Sequence, residues 1–346
     1  MDCYSLSAPS ALSRRDILIG AGLAGVSRLS GRPANEPVPG TSGSDTKLKV
    51  CIFSKHFQWT SVAETARLAA ELGFDGVDLT VRPGGHVLPG RVSSDLPEAV
   101  KIIRGAGLEI PMITTGISSA DREAGEVLKA ASELGIRHYR WGGLNYKPGQ
   151  SIAGQLEDMR PRVKALAGLN QKYDVCGMYH THSGPGVVGA PIWDLFMLLQ
   201  GLDPRWMGAN YDIGHATVEG GYGGWIDSSW LMRDYMKGVA LKDFKWAKNV
   251  EGETYQDPFD KSLGLKGQWV PHWCGIGEGM VNFAGFFNIL RAIKFSGPVQ
   301  LHFEYPGLGG AENGNAKLSI PKDEVVAIMR RDLTAIRGLM AQAALI

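Results

Sequence analysis

The chain has 346 residues, of which 44% are hydrophobic and 21% are charged, and its formal net charge at pH 7 is +1. This length and composition allow a large buried core. No block of like charge stands out, which argues against a nucleic-acid partner and against an anionic membrane surface as a partner.

The N-terminal residues have the pattern of an export signal. Arg14 and Arg15 directly precede the apolar run 17–26, which is too short to span a bilayer, since spanning needs roughly 20 apolar residues. Adjacent arginines before a short apolar run resemble a twin-arginine signal, and the alternative is a disordered tail. We therefore predict a signal peptide over 1–30, a flexible Gly-, Pro- and Ser-rich linker over 31–46, and a periplasmic or secreted protein without membrane contact after signal removal.

From residue 47 onward, short apolar runs alternate with helical patterns. A capping box at Ser61–Glu64 begins the first helix, Gly73 ends it, and the last helix has an apolar stripe from Val325 to Met340. The alternation predicts an α/β fold, a single-domain (β/α)8 TIM barrel over 47–346. The alternative is an open doubly wound sheet, but no Gly-x-Gly-x-x-Gly follows an early strand. The eight predicted strands cover 50–53, 76–79, 109–113, 138–141, 176–180, 207–211, 238–241 and 298–303.

Polar residues collect at the carboxyl ends of these strands, where the catalytic groups of such barrels lie. Residues two apart on a strand face the same side, so His180 and His182 point together, as do His302 and Glu304. Paired imidazoles near a carboxylate are typical ligands of a divalent metal. The strand-end residues are His56, Asp78, Arg82, Arg140, His180, His182, Asp212, His215, Lys242, Asp243 and Glu304.

The sequence allows more than one role for each of three motifs. Asp212 and His215 could divide metal and substrate contacts between them, or Asp212 could cap the next helix. Lys242 and Asp243 could serve the site or form a simple ion pair. The Gly-rich loop 275–283 could bind an anion at a helix start, but Glu278 in its centre favours a structural role or a contact to a substrate hydroxyl.

These motifs resemble the xylose-isomerase-like barrel superfamily, which includes sugar (phosphate) isomerases and epimerases, inosose dehydratases and endonuclease-type relatives. The residues that carry the resemblance are Asp212 with His215, Leu241-Lys242-Asp243-Phe244, the loop 275–279 and Phe303-Glu304-Tyr305. The resemblance implies a Mn²⁺-like ion held by a strand-five Glu, a strand-six Asp, a strand-seven His and a strand-eight Glu. Asp212 and Glu304 match this set, but His180 stands in place of the Glu and Ala240 in place of the His.

The resulting expectation is a metal-assisted sugar isomerase or epimerase that transfers a proton through an enediolate of a small sugar. The alternatives are a keto-sugar or inosose-type lyase or dehydratase, and a sugar-binding barrel without turnover. The ion is expected to be Mn²⁺, Mg²⁺ or Zn²⁺, the partner a small sugar, and a homo-oligomer is compatible with the sequence. The predicted catalytic residues are His180, Glu304 and His215; the metal ligands are Asp212, Glu304, His180 and His182; and the substrate-binding residues are His56, Asp78, Arg82, Arg140, His182 and Lys242.

Overall fold

The computed structural model describes residues 47–248 and 268–346. The predicted signal peptide and linker lie outside the described residues. Within the described part, eight parallel strands close into a barrel in the order β1-β10-β7-β6-β5-β4-β3-β2. The predicted TIM barrel is therefore confirmed.

The barrel strands are short and mostly buried, since helices cover the outside of the sheet and side chains fill its inside. All six residues of β2 and of β6 are buried. The first seven strands are β1 (Val50–Phe53), β2 (Gly76–Val81), β3 (Ile113–Thr115), β4 (His138–Trp141), β5 (Cys176–His180), β6 (Met207–Asp212) and β7 (Met236–Leu241). They are followed by β8 (Asp243–Lys248), β9 (Trp269–Cys274) and the last barrel strand, β10 (Val299–Leu301), which pairs with β1 and closes the barrel.

The helices lie between the strands and pack on the barrel through one apolar side. In α1 the Ser61 hydroxyl accepts a hydrogen bond from the backbone N–H of Glu64 (3.3 Å), and the helix ends at Gly73 with a left-handed φ of 92°. The N-cap half of the predicted capping box is thereby confirmed, while the Glu64 carboxylate pairs with Arg67. The helices are α1 (Val62–Leu72), α2 (Val92–Gly105), α3 (Arg122–Glu133), α4 (Ile152–Lys172), α5 (Trp193–Leu199), α6 (Ile213–Gly220), α7 (Gly224–Leu231), α8 (Phe283–Ala292) and α9 (Lys322–Gln342), with short 3-10 helices at Ser54–Phe57, Pro89–Arg91 and Ala311–Asn313.

Two features differ from the sequence-based prediction. The third strand was expected over 109–113 but pairs over Ile113–Thr115, since Pro111 has no N–H for a strand ladder. Strands β8 and β9 form an antiparallel hairpin outside the barrel, from Asp243 opposite Cys274 to Lys248 opposite Trp269. This hairpin stands beside the carboxyl end of β7 and so borders the mouth of the barrel. No helix in the described ranges is long and apolar enough to cross a membrane.

Candidate active site at the carboxyl end of the barrel

The side chain of Lys242 lies at the centre of the barrel mouth. It follows β7 directly, and its Nζ lies 2.8 Å from Oε2 of Glu304, 3.4 Å from Oδ2 of Asp212 and 2.7 Å from Nε2 of His215. The indole ring of Trp273 lies beneath it, with the Nζ 4.3 Å from the ring centroid. Lys242 is only 2% exposed. A buried ammonium therefore holds two carboxylates from different strands together.

Glu304 is the carboxylate closest to solvent in this cluster. Its Oε1 accepts a hydrogen bond from the Lys55 ammonium at 2.7 Å, and its side chain is 24% exposed. Burial raises the pKa of Glu304, but the ammonium group of Lys242, together with that of Lys55, outweighs burial and holds the pKa well below its usual value. Glu304 is therefore ionised at neutral pH.

Asp212 uses its two carboxylate oxygens differently. Oδ1 accepts a hydrogen bond from the backbone N–H of His215 at 3.0 Å and so caps α6. Oδ2 is buried, has no hydrogen-bond partner among the described residues, and lies 3.6 Å from Nε2 of His180. Burial raises the pKa of Asp212, and Lys242 opposes that rise. The capping alternative is thus confirmed for one oxygen, while the other faces the site.

Four histidine rings surround these groups. His180 lies 4.6 Å from His182 and 5.3 Å from His302, and His182 lies 5.1 Å from His215, measured between ring centroids. Burial lowers the pKa of all four rings, and lowers that of His182 to about 3. The rings are therefore neutral at pH 7, the form in which imidazole binds metal or accepts a proton.

Two sets of these side chains could hold a metal ion. Within the described part of the chain, the ligand atoms of His180, Asp212 and His302 lie within 4.8 Å of one another, as do those of His180, His182 and His215. The first set fits a divalent ion better, because it includes an anionic oxygen. Glu304 belongs to neither set.

Unpaired buried atoms also support the first set. Both ring nitrogens of His302 and Oδ2 of Asp212 are buried without a hydrogen-bond partner in the described ranges. Nδ1 of His302 lies 3.7 Å from Oε2 of Glu304, which is beyond hydrogen-bond distance. For His180 to bind an ion through Nε2, its ring proton would have to be on Nδ1, where the Asn210 amide now donates at 3.1 Å.

A buried polar network supports the site from below. Asp78 accepts hydrogen bonds from the Thr114 hydroxyl (2.7 Å) and the Gln300 amide, and Gln300 in turn accepts from the Asn210 amide. Asp78 is fully buried, and burial raises its pKa to about 7. The carboxyl group of Asp78, a predicted substrate contact, is enclosed in the barrel interior, where Oδ2 accepts both bonds and Oδ1 has no hydrogen-bond partner among the described residues.

His56 is corrected as a substrate-binding residue. Its Nδ1 lies 3.1 Å from the carbonyl oxygen of Ala311, and its Nε2 accepts a hydrogen bond from the backbone N–H of Phe303 at 3.1 Å. The residue is fully buried. Both ring nitrogens are used by the backbone, so the ring ties β10 and the 3-10 helix Ala311–Asn313 to the end of β1.

Arg82 and Arg140 line the opposite side of the mouth. Each guanidinium carbon lies 5.6 Å from the ring centroid of Phe53, and Nη2 of Arg140 lies 3.3 Å from Nε2 of His182. Both arginines are partly exposed. Their predicted role as substrate contacts is compatible with this placement.

Asp243 does not pair with the preceding lysine. Its carboxylate accepts four backbone N–H groups, from Phe244 (2.9 Å), Gly277 (3.0 Å), Gly279 (3.1 Å) and Val281 (3.1 Å). The Gly-rich loop is therefore wrapped around one carboxylate and closed to an added anion. Glu278 pairs with Arg331 at 3.0 Å, which makes its role structural.

The sequence-based prediction did not include four residues of this region. Gln300 is two residues before His302 and four before Glu304, so strand alternation could have identified it. Lys55 follows β1 at the carboxyl end of the barrel, so it satisfies the same strand-end rule as the predicted site residues. Asn210 lies inside β6 and not at its carboxyl end, so the strand-end rule does not select it. Trp273 is one of several tryptophans beside polar residues that suit either a sugar face or a cover of the barrel mouth, and the sequence alone does not separate these two roles.

Comparisons with solved structures agree with this architecture. The chain is 15% identical to 3-keto-D-glucoside 4-epimerase YcjR from E. coli, with 84% of this chain and 100% of that chain covered and a TM-score of 0.57. It is 13% identical to D-psicose 3-epimerase from Clostridium cellulolyticum H10, with 85% and 99% covered and a TM-score of 0.60. The probable 3-DHS dehydratase AsbF from Bacillus anthracis is 17% identical, with 83% and 99% covered and a TM-score of 0.56. At these identities the likeness shows the fold.

A search of curated proteins found no match. Residues 66–322, well over half of the chain, match the family described as the xylose isomerase-like TIM barrel. Together with the closed parallel barrel and the polar cluster at its carboxyl end, this match shows that the chain belongs to the xylose isomerase-like TIM barrel family.

Proposed function

We propose that the protein isomerises or epimerises a small sugar or keto-sugar by moving a proton next to a carbonyl group. The observation that carries this proposal is the ionised carboxylate of Glu304, which is partly open to solvent and lies between the ammonium groups of Lys242 and Lys55. Such a carboxylate can remove a proton from a sugar carbon, and the nearby cations stabilise the negative charge that develops on the substrate oxygen.

The histidines supply the second proton-transfer group that the reaction needs. His180 is neutral because burial and nearby cations lower its pKa. The predicted catalytic role of His215 is less well supported, because Nδ1 accepts a hydrogen bond from the backbone N–H of Ser183 at 3.0 Å and Nε2 lies 2.7 Å from the Nζ of Lys242. A neutral imidazole can donate the proton of one nitrogen to the sugar carbon while its other nitrogen accepts a proton from water, and Glu304 then releases the proton that it removed to solvent. His182 and Arg140 stand opposite and could orient sugar hydroxyls.

A divalent ion, as the family resemblance implies, would be held by His180, Asp212 and His302 and would polarise the sugar carbonyl. Two aromatic side chains, Phe53 and Trp273, complete the walls of the site. Phe53, buried beneath both mouth arginines, closes the site from below, and Trp273 packs against His215 with ring centroids 4.7 Å apart. An aromatic face beside polar groups suits the apolar face of a sugar ring.

A lyase or dehydratase remains the second candidate, supported by the structural likeness to AsbF and by the same pair of proton-transfer groups. Both reactions begin with removal of a proton next to a carbonyl. They differ in the next step, because a lyase expels water or an alcohol where an epimerase returns the proton.

The test is to incubate the protein with a panel of keto- and aldo-sugars in D₂O and to follow solvent deuterium in the sugar by NMR. We expect exchange at a carbon next to the carbonyl and a fall of about 100-fold or more in Glu304→Gln. Glu126→Gln, on the outer surface of α3, is the matched control. Loss of water without an isomer would favour the lyase, and sugar binding without any exchange would favour a sugar-binding barrel.

A further inference from the structure

Lys242 and a divalent ion would contact the same carboxylate oxygen. Asp212 belongs with His180 and His302 to the set of residues that could hold a metal ion. Its Oδ2 is the free oxygen, since Oδ1 caps α6 and Oδ2 lies 3.6 Å from Nε2 of His180. The same oxygen lies 3.4 Å from the Nζ of Lys242. An ion bound to this oxygen would therefore stand close to an ammonium group, and like charges at such a distance in a buried site repel strongly.

Positive groups already offset the negative charges around the site without an added ion. Asp212 and Glu304 bring two negative charges, and Lys242 and Lys55 bring two positive charges within 3.4 Å of them. Arg140 adds a further positive charge beside His182. A divalent ion would add two positive charges to a cluster whose carboxylates are already neutralised, unless one of the ammonium groups moved away.

The surroundings hold Lys242 in this position. Its Nζ contacts His215 at 2.7 Å as well as both carboxylates, and the Trp273 ring covers it. Gly214 packs directly against its side chain, since a Cβ at Gly214 would lie 2.9 Å from Cγ of Lys242. Withdrawal of the ammonium would therefore break several contacts at once.

We propose that Lys242 is a built-in counter-cation that competes with divalent ions for Asp212 and so sets the metal affinity of this site. The inference goes beyond the proposed function, because it concerns ion binding in the absence of any sugar. Lys55 has a different role, because it contacts Glu304 at the rim of the mouth.

The experiment titrates Mn²⁺ into full-length, chelator-treated protein and measures free Mn²⁺ by electron paramagnetic resonance. We expect Lys242→Met, which keeps an unbranched side chain but removes the charge, to bind Mn²⁺ at least about tenfold more tightly than the wild type. Lys242→Arg should retain the weak binding of the wild type. Lys55→Met, the matched control, should change the affinity far less.

A second substitution tests whether the tighter Mn²⁺ binding of Lys242→Met depends on Asp212. Adding Asp212→Asn to Lys242→Met should abolish the tighter binding, because the shared oxygen then loses its charge. If Lys242→Met does not fold, as judged by circular dichroism, Lys242→Gln serves in its place.

The proposal is overturned if the uncharged variants bind Mn²⁺ no more tightly than the wild type, or do not bind it. It is also overturned if the gain survives Asp212→Asn. Deuterium exchange into sugars is measured separately, so failure here leaves the proposed function standing, and loss of the proposed function leaves the ion competition intact.

Discussion

The buried carboxyl group of Asp78 makes the stability of the barrel depend on pH. Burial raises the pKa of its carboxyl group from 3.8 to about 7. Between these two pH values the folded protein keeps a proton that the unfolded chain has lost, so the free energy of unfolding falls as the pH rises. Each pKa unit corresponds to about 1.4 kcal/mol. The contribution is complete below pH 4 and is lost by about pH 7.

We therefore expect the wild type to lose a few kcal/mol of stability relative to Asp78→Asn as the pH rises from about 4 to 7. The difference between the two proteins is the quantity to measure, by urea unfolding at several pH values. The wild-type curve alone mixes opposite effects, since the lowered pKa values of His56 and His182, both about 3, add stability as the pH rises. A difference that stays constant with pH would contradict the assignment, and Asp158→Asn on the exposed face of α4 is the matched control.

Strand periodicity identified some site residues and could not identify others. His180, Asp212 and Glu304 were predicted because they stand at or just beyond the carboxyl ends of strands, and the barrel brings such ends together. His56 satisfied the same rule, yet the 3-10 helix after β1 turns its ring under the mouth. The meeting of Lys55 and Lys242 at Glu304 could not be predicted, because the reach of a long flexible side chain is set by its surroundings and has no sequence period.

The carboxylate of Asp243 fixes the conformation of the loop between β9 and α8, beside the site. Asp243 accepts the N–H groups of three residues in the loop that joins β9 to α8, namely Gly277, Gly279 and Val281, and that of its neighbour Phe244 in β8. Gly279 allows this approach, since a Cβ there would collide with the Asp243 carboxylate. The loop is therefore held by side-chain contacts to a residue more than 30 positions away.

Removing this carboxylate should destabilise the protein. We expect Asp243→Ala to lower the free energy of unfolding by at least about 2 kcal/mol, because buried N–H groups lose their acceptor. Asp243→Asn should cost less, since its amide oxygen still accepts. Urea unfolding of both variants measures the difference, with Asp158→Asn on the exposed face of α4 as the control. Equal stability of Asp243→Ala and the wild type would show that water replaces the carboxylate.

The barrel elements were more predictable than the hairpin β8–β9. The barrel strands are short apolar runs with turn residues at both ends, which is a strong pattern. The hairpin strands mix Lys and Trp with Pro271, and proline inside a run weakens a strand assignment. The same rule explains the displaced third strand, where Pro111 falls in the middle of the predicted run.

At the scale of the whole molecule, closure of the barrel joins distant parts of the chain. Val50 in β1 pairs with Val299 in β10, and the backbone N–H of Leu48 donates to the carbonyl oxygen of Leu345 at 2.7 Å. The sheet therefore cannot close until almost all of the chain has been made. Such a protein suits an export route that carries folded proteins, and the paired arginines resemble the signal for that route.

We propose on this basis that residues 1–30 direct export through the twin-arginine route. Replacing Arg14 and Arg15 with lysine keeps the charge but removes the paired guanidinium groups, and it leaves the barrel sequence unchanged. In a bacterial host with a working twin-arginine system, we expect the wild type in the periplasmic fraction and the double-lysine variant in the cytoplasm, folded and with the same thermal midpoint. The measurement is cell fractionation followed by immunoblotting. Equal export of both proteins would refute the role of the arginines, and retention of both would refute the signal itself.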